Sequence, residues 1–168
     1  MNRPTPAQIE KWYPPLLRTA IRLTGSGEEA ADITQEAFGK ALGAWDRFDG
    51  KARPTTWLHR ILVNCVRDWR RRRSVRSAVP LDEWDIAAAQ GDGPLEQLDR
   101  SERAARLRSA IAGLPTPLKQ AFVVTVLDGY TYEGAAELLA LPVGTVASRV
   151  HQARNSLRET MHEAFPET

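Results

Sequence analysis

Residues 54–73, PTTWLHRILVNCVRDWRRRR, read as one amphipathic helix with two unlike faces. Trp57, Leu58, Ile61, Leu62, Cys65 and Trp69 recur at the i, i+3, i+4 spacing of a core-facing stripe. Arg60, Asn64, Arg67 and Arg71 fall on the other side as a narrow line of donors, and the stretch closes with Arg70, Arg71, Arg72 and Arg73 in succession. A helix held by half its circumference and offering Arg, Asn and Arg outward suits phosphates and bases. A plain solvated basic face has the same pattern, so the rest of the chain must decide between the two.

The 168 residues accommodate one ordinary domain or two small helical ones, and 42% hydrophobic content supports folded cores. A net charge of +2 conceals a pattern along the chain. Residues 1–76 carry 15 Lys and Arg against 8 Asp and Glu, residues 77–99 carry six acids and no base, and residues 100–168 carry 8 bases against 7 acids. Basic, acidic and near neutral in turn is the layout of two modules joined by a linker. The single cysteine, Cys65, lies on the apolar stripe and reads as a buried structural thiol in a reducing compartment. No apolar run reaches the ~18 residues of a membrane span, and the first residues lack the apolar core of a signal peptide. A cytoplasmic protein is expected.

Residues 7–24 read as a helix with Ile9, Trp12, Leu16, Leu17, Ala20, Ile21 and Leu23 as apolar positions, restarted at Pro14-Pro15. Ser26 with Glu29 fits a capping box for a helix from Gly27 to about Phe48. That helix turns Ala30, Ile33, Ala37, Phe38, Ala41, Trp45 and Phe48 inward and shows Asp32, Gln35, Glu36 and Lys40 outward. Thr55 is the expected cap of the Arg-rich helix. Residues 77–94, with Pro80, Gly91, Gly93 and an acidic run, read as a flexible linker in which Leu81, Trp84 and Ile86 are apolar beyond a tether's needs. Beyond it, residues 95–113 form a helix using Leu98, Leu107, Ala110, Ile111 and Leu114. Thr116 caps residues 117–127, with Phe122, Val123 and Val126 inward.

Thr131 caps residues 132–139, a tight ALPVG segment follows, and Thr145 is the expected cap of a last helix to about Glu163. Two helices joined by a short turn, with small Ala135 and Ala136 at the crossing, match a helix-turn-helix. Ala135, Leu139, Val143, Val146, Val150 and Leu157 form its expected inner seam, leaving Thr145, Ala147, Ser148, Arg149, His151, Gln152 and Arg154 outward. In this motif the start of the second helix enters the major groove. There Arg149 suits guanine, Gln152 suits adenine, and Ser148 with the helix N-terminus suits phosphate. An ordinary helical hairpin shares the pattern, and weak net charge implies weak DNA binding by this module alone.

Taken in order, YPPLLRTAIRLTG, AADITQEAFGKAL, TTWLHRILVNCVRDWRRRR and LPTPLKQAFVVTVLDGYTYEGAAELLALPVGTVASRVHQAR make the chain resemble a bacterial RNA polymerase sigma factor of the extracytoplasmic-function group of the sigma-70 family. The resemblance covers residues 7–76 and 95–162. It implies an all-α fold of two helical domains, region 2 within residues 1–76 and region 4 within 95–168, tethered by residues 77–94. It also implies that Asp32, Gln35 and Glu36 bind the clamp coiled coil of the polymerase β′ subunit. By position, Asn64 in RILVN is the expected reader of an unpaired −10 base, with Arg60, Arg67, Arg70, Arg71, Arg72 and Arg73 on phosphates. Trp57 and Trp69 are expected in the core rather than stacked on bases. Region 4, through Thr145, Ser148, Arg149, His151, Gln152 and Arg154, is expected to read the −35 element and to touch the β flap. Relatives commonly carry a basic residue where this chain has Ala147 and often another where it has Gln152, so the family's −35 sequence does not carry over and weaker phosphate anchoring is expected there. Gly134 replaces the usual acid of a capping box after Thr131. Promoter DNA and core polymerase are the implied partners, an anti-sigma protein a further one, and no cofactor or metal is expected.

The rival from another class is a self-sufficient helix-turn-helix regulator, which leaves residues 32–36 and 60–73 without a role. An enzyme is disfavoured: His59, His151 and His162 are scattered, and no metal-ligand spacing, nucleophile–base pair or phosphate-binding glycine loop is present.

Overall fold

The structure, a computed structural model, describes residues 3–76 and 95–164. Among the described residues it is all helical: α1 (Pro6–Thr24), α2 (Gly27–Gly43) with a 3-10 turn (Trp45–Arg47), α3 (Pro54–Arg76), α4 (Leu95–Gly113), α5 (Thr116–Phe122) running into a π turn (Val123–Leu127), α6 (Tyr132–Leu139) and α7 (Val143–Ala164). Helices α1–α3 pack on one another, α4 and α5 pack on α7, and α6 lies against both α7 and α3. The linker expectations, including the role of Trp84, and the inward placement of Leu98 lie outside the described residues.

In the first module every residue expected inward on α2 and its sequel is buried, from Ala30 and Ile33 to Trp45 and Phe48. The helix itself ends earlier than expected, at Gly43, and the 3-10 turn brings Trp45 and Phe48 back over the core. There Trp45 stacks on Trp12 with ring centroids 6.1 Å apart and meets Trp57 edge-on at 5.6 Å. Trp57 is therefore a core aromatic. Ser26 accepts from the Glu29 N–H at 3.4 Å, but the Glu29 carboxylate pairs with Arg73 instead of closing the expected box. Pro14 and Pro15 do not restart α1, which is continuous through both. The missing donors free only the carbonyls of exposed Glu10 and Lys11, which water can satisfy, while Leu16, Ala20 and Leu23 hold the helix from the other side. The chain leaves α1 through Gly25, whose φ of 82° is the left-handed stop that a side chain would disfavour.

Helix α3 stays helical through Asn64, and buries more of its circumference than its apolar stripe predicts. Leu58, Leu62 and Cys65 are buried as expected, but so are His59, Val63 and Val66: α6 packs on a second side of the helix, and His59 lies against Thr19 and Tyr130. It begins at Pro54, one residue before the expected cap Thr55, whose carbonyl takes the His59 Nδ1 proton.

In the second module the caps shift for similar reasons. Thr116 is the first residue of α5 rather than its cap, and its hydroxyl accepts from Arg70. The π turn inserts an extra residue into the helical phase, so Val124 is buried and Val126 is 39% exposed, reversing the expectation. Thr131 caps α6 as expected, accepting from the Gly134 N–H at 3.1 Å. Helix α7 starts at Val143, so Thr145 lies inside its first turn and Val143 is exposed rather than in the seam. Ile21 and Leu107, expected to be core, are about two-fifths exposed and line one shallow groove with Ile111 and Leu127.

The two modules share one buried apolar cluster. Leu16, Leu23, Leu62 and Val66 belong to it together with Val123, Val124, Leu138 and Leu139.

Candidate nucleic-acid interface

The exposed line on α3 is present as the helical spacing requires. Arg60, Asn64, Arg67 and Arg71 are all exposed, and Arg60 and Asn64 engage no other described residue. Arg71 makes a loose pair with Asp68 at 3.5 Å, one turn back on the same helix. Arg67 leans toward the second module and donates to the Leu139 carbonyl at 3.3 Å. Arg70 departs from the expected set: it is turned inward, donating to the Thr116 hydroxyl and the Leu23 carbonyl, and its Nε is buried without a partner among the described residues. Burial pulls its pKa below the ordinary guanidinium value. In this arrangement Arg70 faces no solvent-borne phosphate.

The last arginines of α3 reach back over α2. Arg72 pairs with Glu36 at 3.2 Å, Arg73 pairs with Glu29 and lies 5.6 Å above the Trp69 ring, and Lys40 pairs with Glu36 at 2.7 Å. The Lys40 hydrogen bond, with that of Arg72, holds the Glu36 carboxyl below its usual pKa against the opposing effect of burial. Asp32 and Gln35 are exposed on the same face with no partner among the described residues. The α2 face thus offers one free carboxylate, one free amide and one carboxylate already sharing two cations. Exposed pairs of this kind are worth only about 0–1 kcal/mol, so an incoming cation can replace Arg72 at little cost.

The second face is built by α6 and α7. Ala140 adopts φ 54°, ψ 51° at the end of α6, and Pro142 opens α7, giving the tight turn of a helix-turn-helix. Val146 and Val150 lock α7 against the core at 0% and 1% exposure. Ser148, His151, Gln152 and Arg154 are exposed; Thr145 and Arg149 are half-buried. The Ser148 hydroxyl turns back to the Thr145 carbonyl at 3.0 Å, leaving its lone pairs free to accept. His151 sits 3.2 Å from Asn155 Nδ2, and Asn155 Oδ1 accepts from Arg158, so Asn155 ties the far end of the face together. Asn155 was missed in sequence, although its i, i+4 spacing from His151 is visible there.

The match to known proteins follows this division. The family model for Sigma-70 region 2 matches residues 8–76, and that for Sigma-70, region 4 matches residues 96–157. The chain is 32% identical to the RNA polymerase sigma-H factor of Pseudomonas aeruginosa over 95% of this chain and 86% of that one. It is 35% identical to the ECF RNA polymerase sigma-E factor of Escherichia coli K12 over 81% of this chain and 75% of that one. The chain belongs to the extracytoplasmic-function group of the sigma-70 family. Among solved structures, the sigma factor RpoE of Bartonella quintana, determined in complex with the anti-sigma factor NepR, superposes with a TM-score of 0.75 at 28% identity, covering 92% of this chain and 94% of that one.

In this sigma factor the α1–α3 module is region 2 and the α4–α7 module is region 4. Region 4's recognition helix is open to solvent, whereas two of region 2's basic groups, Arg67 and Arg70, are engaged by region 4. No described helix is long and apolar enough to cross a membrane, and no group of three or more His, Cys, Asp and Glu among the described residues could hold a metal.

Proposed function

We propose that this sigma factor joins core RNA polymerase and directs it to promoters carrying two spaced elements. Residues 1–76 hold the polymerase clamp and the −10 element, residues 77–94 connect, and residues 95–168 read the −35 element and touch the β flap. Asp32 and Gln35, with Glu36 exchanging Arg72 for a polymerase cation, form the clamp contact on α2. Asn64 reads an unpaired −10 base, flanked by Arg60, Arg67 and Arg71 on phosphates. Arg70, Arg72 and Arg73 join them once released from their present partners. On α7, Arg149 and Gln152 meet base edges while Thr145, His151, Arg154 and Ser148, once its hydroxyl turns from the Thr145 carbonyl, engage the backbone.

The single observation that carries this reading is the solvent-exposed row Arg60, Asn64, Arg67, Arg71 on a helix whose other sides are buried, within a chain of this family. The mechanism is capture rather than catalysis: holding a base that only melted DNA offers favours the open duplex, and the polymerase supplies the chemistry in the cytoplasm. An anti-sigma protein, as in the complex of the Bartonella relative, is the proposed regulator. A self-sufficient regulator would use α6 and α7 alone and leave the region 2 match over residues 8–76 without purpose.

Transcription with core polymerase tests the assignment. Asp32→Ala with Gln35→Ala should lower output at least tenfold and abolish co-purification with core, while leaving the melting temperature unchanged. Normal output from that double variant would overturn the clamp assignment.

A further inference from the structure

We infer that Asn155 is a positioning residue of the α7 face: clamped by Arg158, it fixes the His151 ring in the form that carries its proton on Nδ1, from which the ring donates to promoter DNA. The inference rests on the reading of His151 as a DNA-backbone group. It adds what sets the hydrogen-bonding character of that ring.

His151, Asn155 and Arg158 follow one another along α7 at i, i+4 and i+7, so each reaches the next across one helical turn. Arg158 Nη1 lies 3.2 Å from Asn155 Oδ1, and Asn155 Nδ2 lies 3.2 Å from His151 Nε2. The direction of this relay is set at its far end. A guanidinium carries donors and no acceptor, so only the oxygen of the Asn155 amide can face Arg158. The amide is thereby oriented, and the group turned to the imidazole is its NH2. An amide NH2 only donates, so His151 Nε2 accepts and bears no proton. In the neutral ring the proton is then on Nδ1.

His59 on α3 is held differently. Its Nδ1 faces the Thr55 carbonyl at 2.9 Å and its Nε2 lies 3.4 Å from the Thr19 hydroxyl, so both nitrogens are spent inside the fold. His151 is exposed, tied at Nε2 alone, and its Nδ1 has no partner among the described residues. One nitrogen anchored and one free gives the ring a single defined character toward solvent. Phosphate oxygens only accept, so the Nδ1–H form can meet one, whereas the other form would set a lone pair against it. An unconstrained imidazole favours the Nε2–H form, which makes the hold of Asn155 consequential. Both hydrogen bonds lie near the surface and add little to folding; their effect is on which form of the ring meets DNA. Asn155 shares its side of α7 with Ser148 and Gln152, so a direct contact of its own with DNA is the rival role.

The full chain, labelled with heavy nitrogen, is observed by long-range proton–nitrogen correlation of its histidine rings in mildly alkaline solution, where an ordinary imidazole is neutral. His151 is identified by its absence from His151→Ala. The parent should show a bare Nε2 and a protonated Nδ1, and Asn155→Asp, whose carboxylate only accepts, should show the reverse. In the same buffer, holoenzyme assembled with core polymerase is titrated with the promoter that the parent enriches most from a randomised pool. Asn155→Leu should weaken binding about fivefold, the worth of one hydrogen bond, and less than about twofold where His151 is already Ala, the mark of an effect that passes through the ring. A parent ring protonated on Nε2, or a loss that persists undiminished in the His151→Ala background, would overturn the inference. If Asn155→Leu loses its helical circular dichroism, Asn155→Asp takes its place in the same comparison. Unchanged affinity in His151→Ala, with the parental resonances as expected, would remove the DNA reading of His151 and leave the hold of Asn155 on its ring standing.

Discussion

Asn64 and Arg70 are six residues apart on one helix and end in opposite surroundings. Asn64 is exposed with no described partner, as a base reader must be. Asn64→Ala should therefore leave the melting temperature within a degree or two while changing which −10 bases are enriched among transcripts; an unchanged −10 preference would remove it from the reader's role. Lys119 is the opposite case, a cation enclosed beside another. Burial, with the Arg70 charge adding to it, pulls its pKa down to about 8 from 10.5. The folded state therefore releases this proton before the unfolded chain does, and over that interval the unfolded chain binds more protons. Stability should rise with pH from about 8. The rise ends near pH 10, where Tyr130, raised above its value of 10.0 by burial, begins to ionise first in the unfolded chain and reverses the slope. Thermal melts across that window should show the rise in the parent and lose it in Lys119→Met. At Ala140, φ 54° imposes a left-handed cost of about 1–2 kcal/mol that glycine does not bear. Ala140→Gly should raise the melting temperature by roughly 2–4 °C, and a lower one would show that glycine's extra unfolded-state entropy wins.

Among the elements, α2 was the most legible in sequence, because one face is core and the other solvent and a single period of 3.6 describes both. Ala30, Ile33, Ala37, Phe38 and Ala41 are all buried along it, and Trp45 and Phe48, expected on the same helix, reach the core from the 3-10 turn that follows. Helix α3 was half legible: the stripe through Leu58, Leu62 and Cys65 was plain, but Val63 and Val66 are also buried on a helix that α6 packs against from more than fifty residues further along, and His59 is buried beside Thr19 and Tyr130. Local periodicity cannot report a second covering element. The α5 segment failed for a different reason, since the π turn breaks the phase on which the choice of Val126 depended. Caps failed where a distant partner claimed the residue, as Arg70 claims Thr116 and Arg73 claims Glu29. Where the structure agrees with the pattern, substitution costs should follow burial. Leu62, fully buried against both modules, should cost about 2–5 kcal/mol on truncation to Ala, measured by denaturant unfolding. A loss below 1 kcal/mol would mean that this part of the core is loosely packed.

At the scale of the whole molecule, one apolar cluster runs through both sigma regions, and the charged seam around Asp128 lies at its edge. Nothing in the sequence pointed to that arrangement. The Asp128-Gly129 pair reads locally as a helix stop, and its partners Thr19 and Arg22 lie more than a hundred residues earlier. The exposure of the groups proposed to read the promoter, by contrast, was legible because it follows from helical period rather than from long-range contact. The molecule thus presents the start of α7 openly and holds Arg67 and Arg70 of α3 in hydrogen bonds to region 4. The measurement that tests the central claim most directly is run-off transcription by core RNA polymerase over a pool of randomised promoters, with and without this chain. The account predicts start sites that appear only with the protein, share two spaced elements, and disappear with Asp32→Ala and Gln35→Ala. Binding to duplex DNA by the protein alone, with no polymerase-dependent start sites, would contradict it.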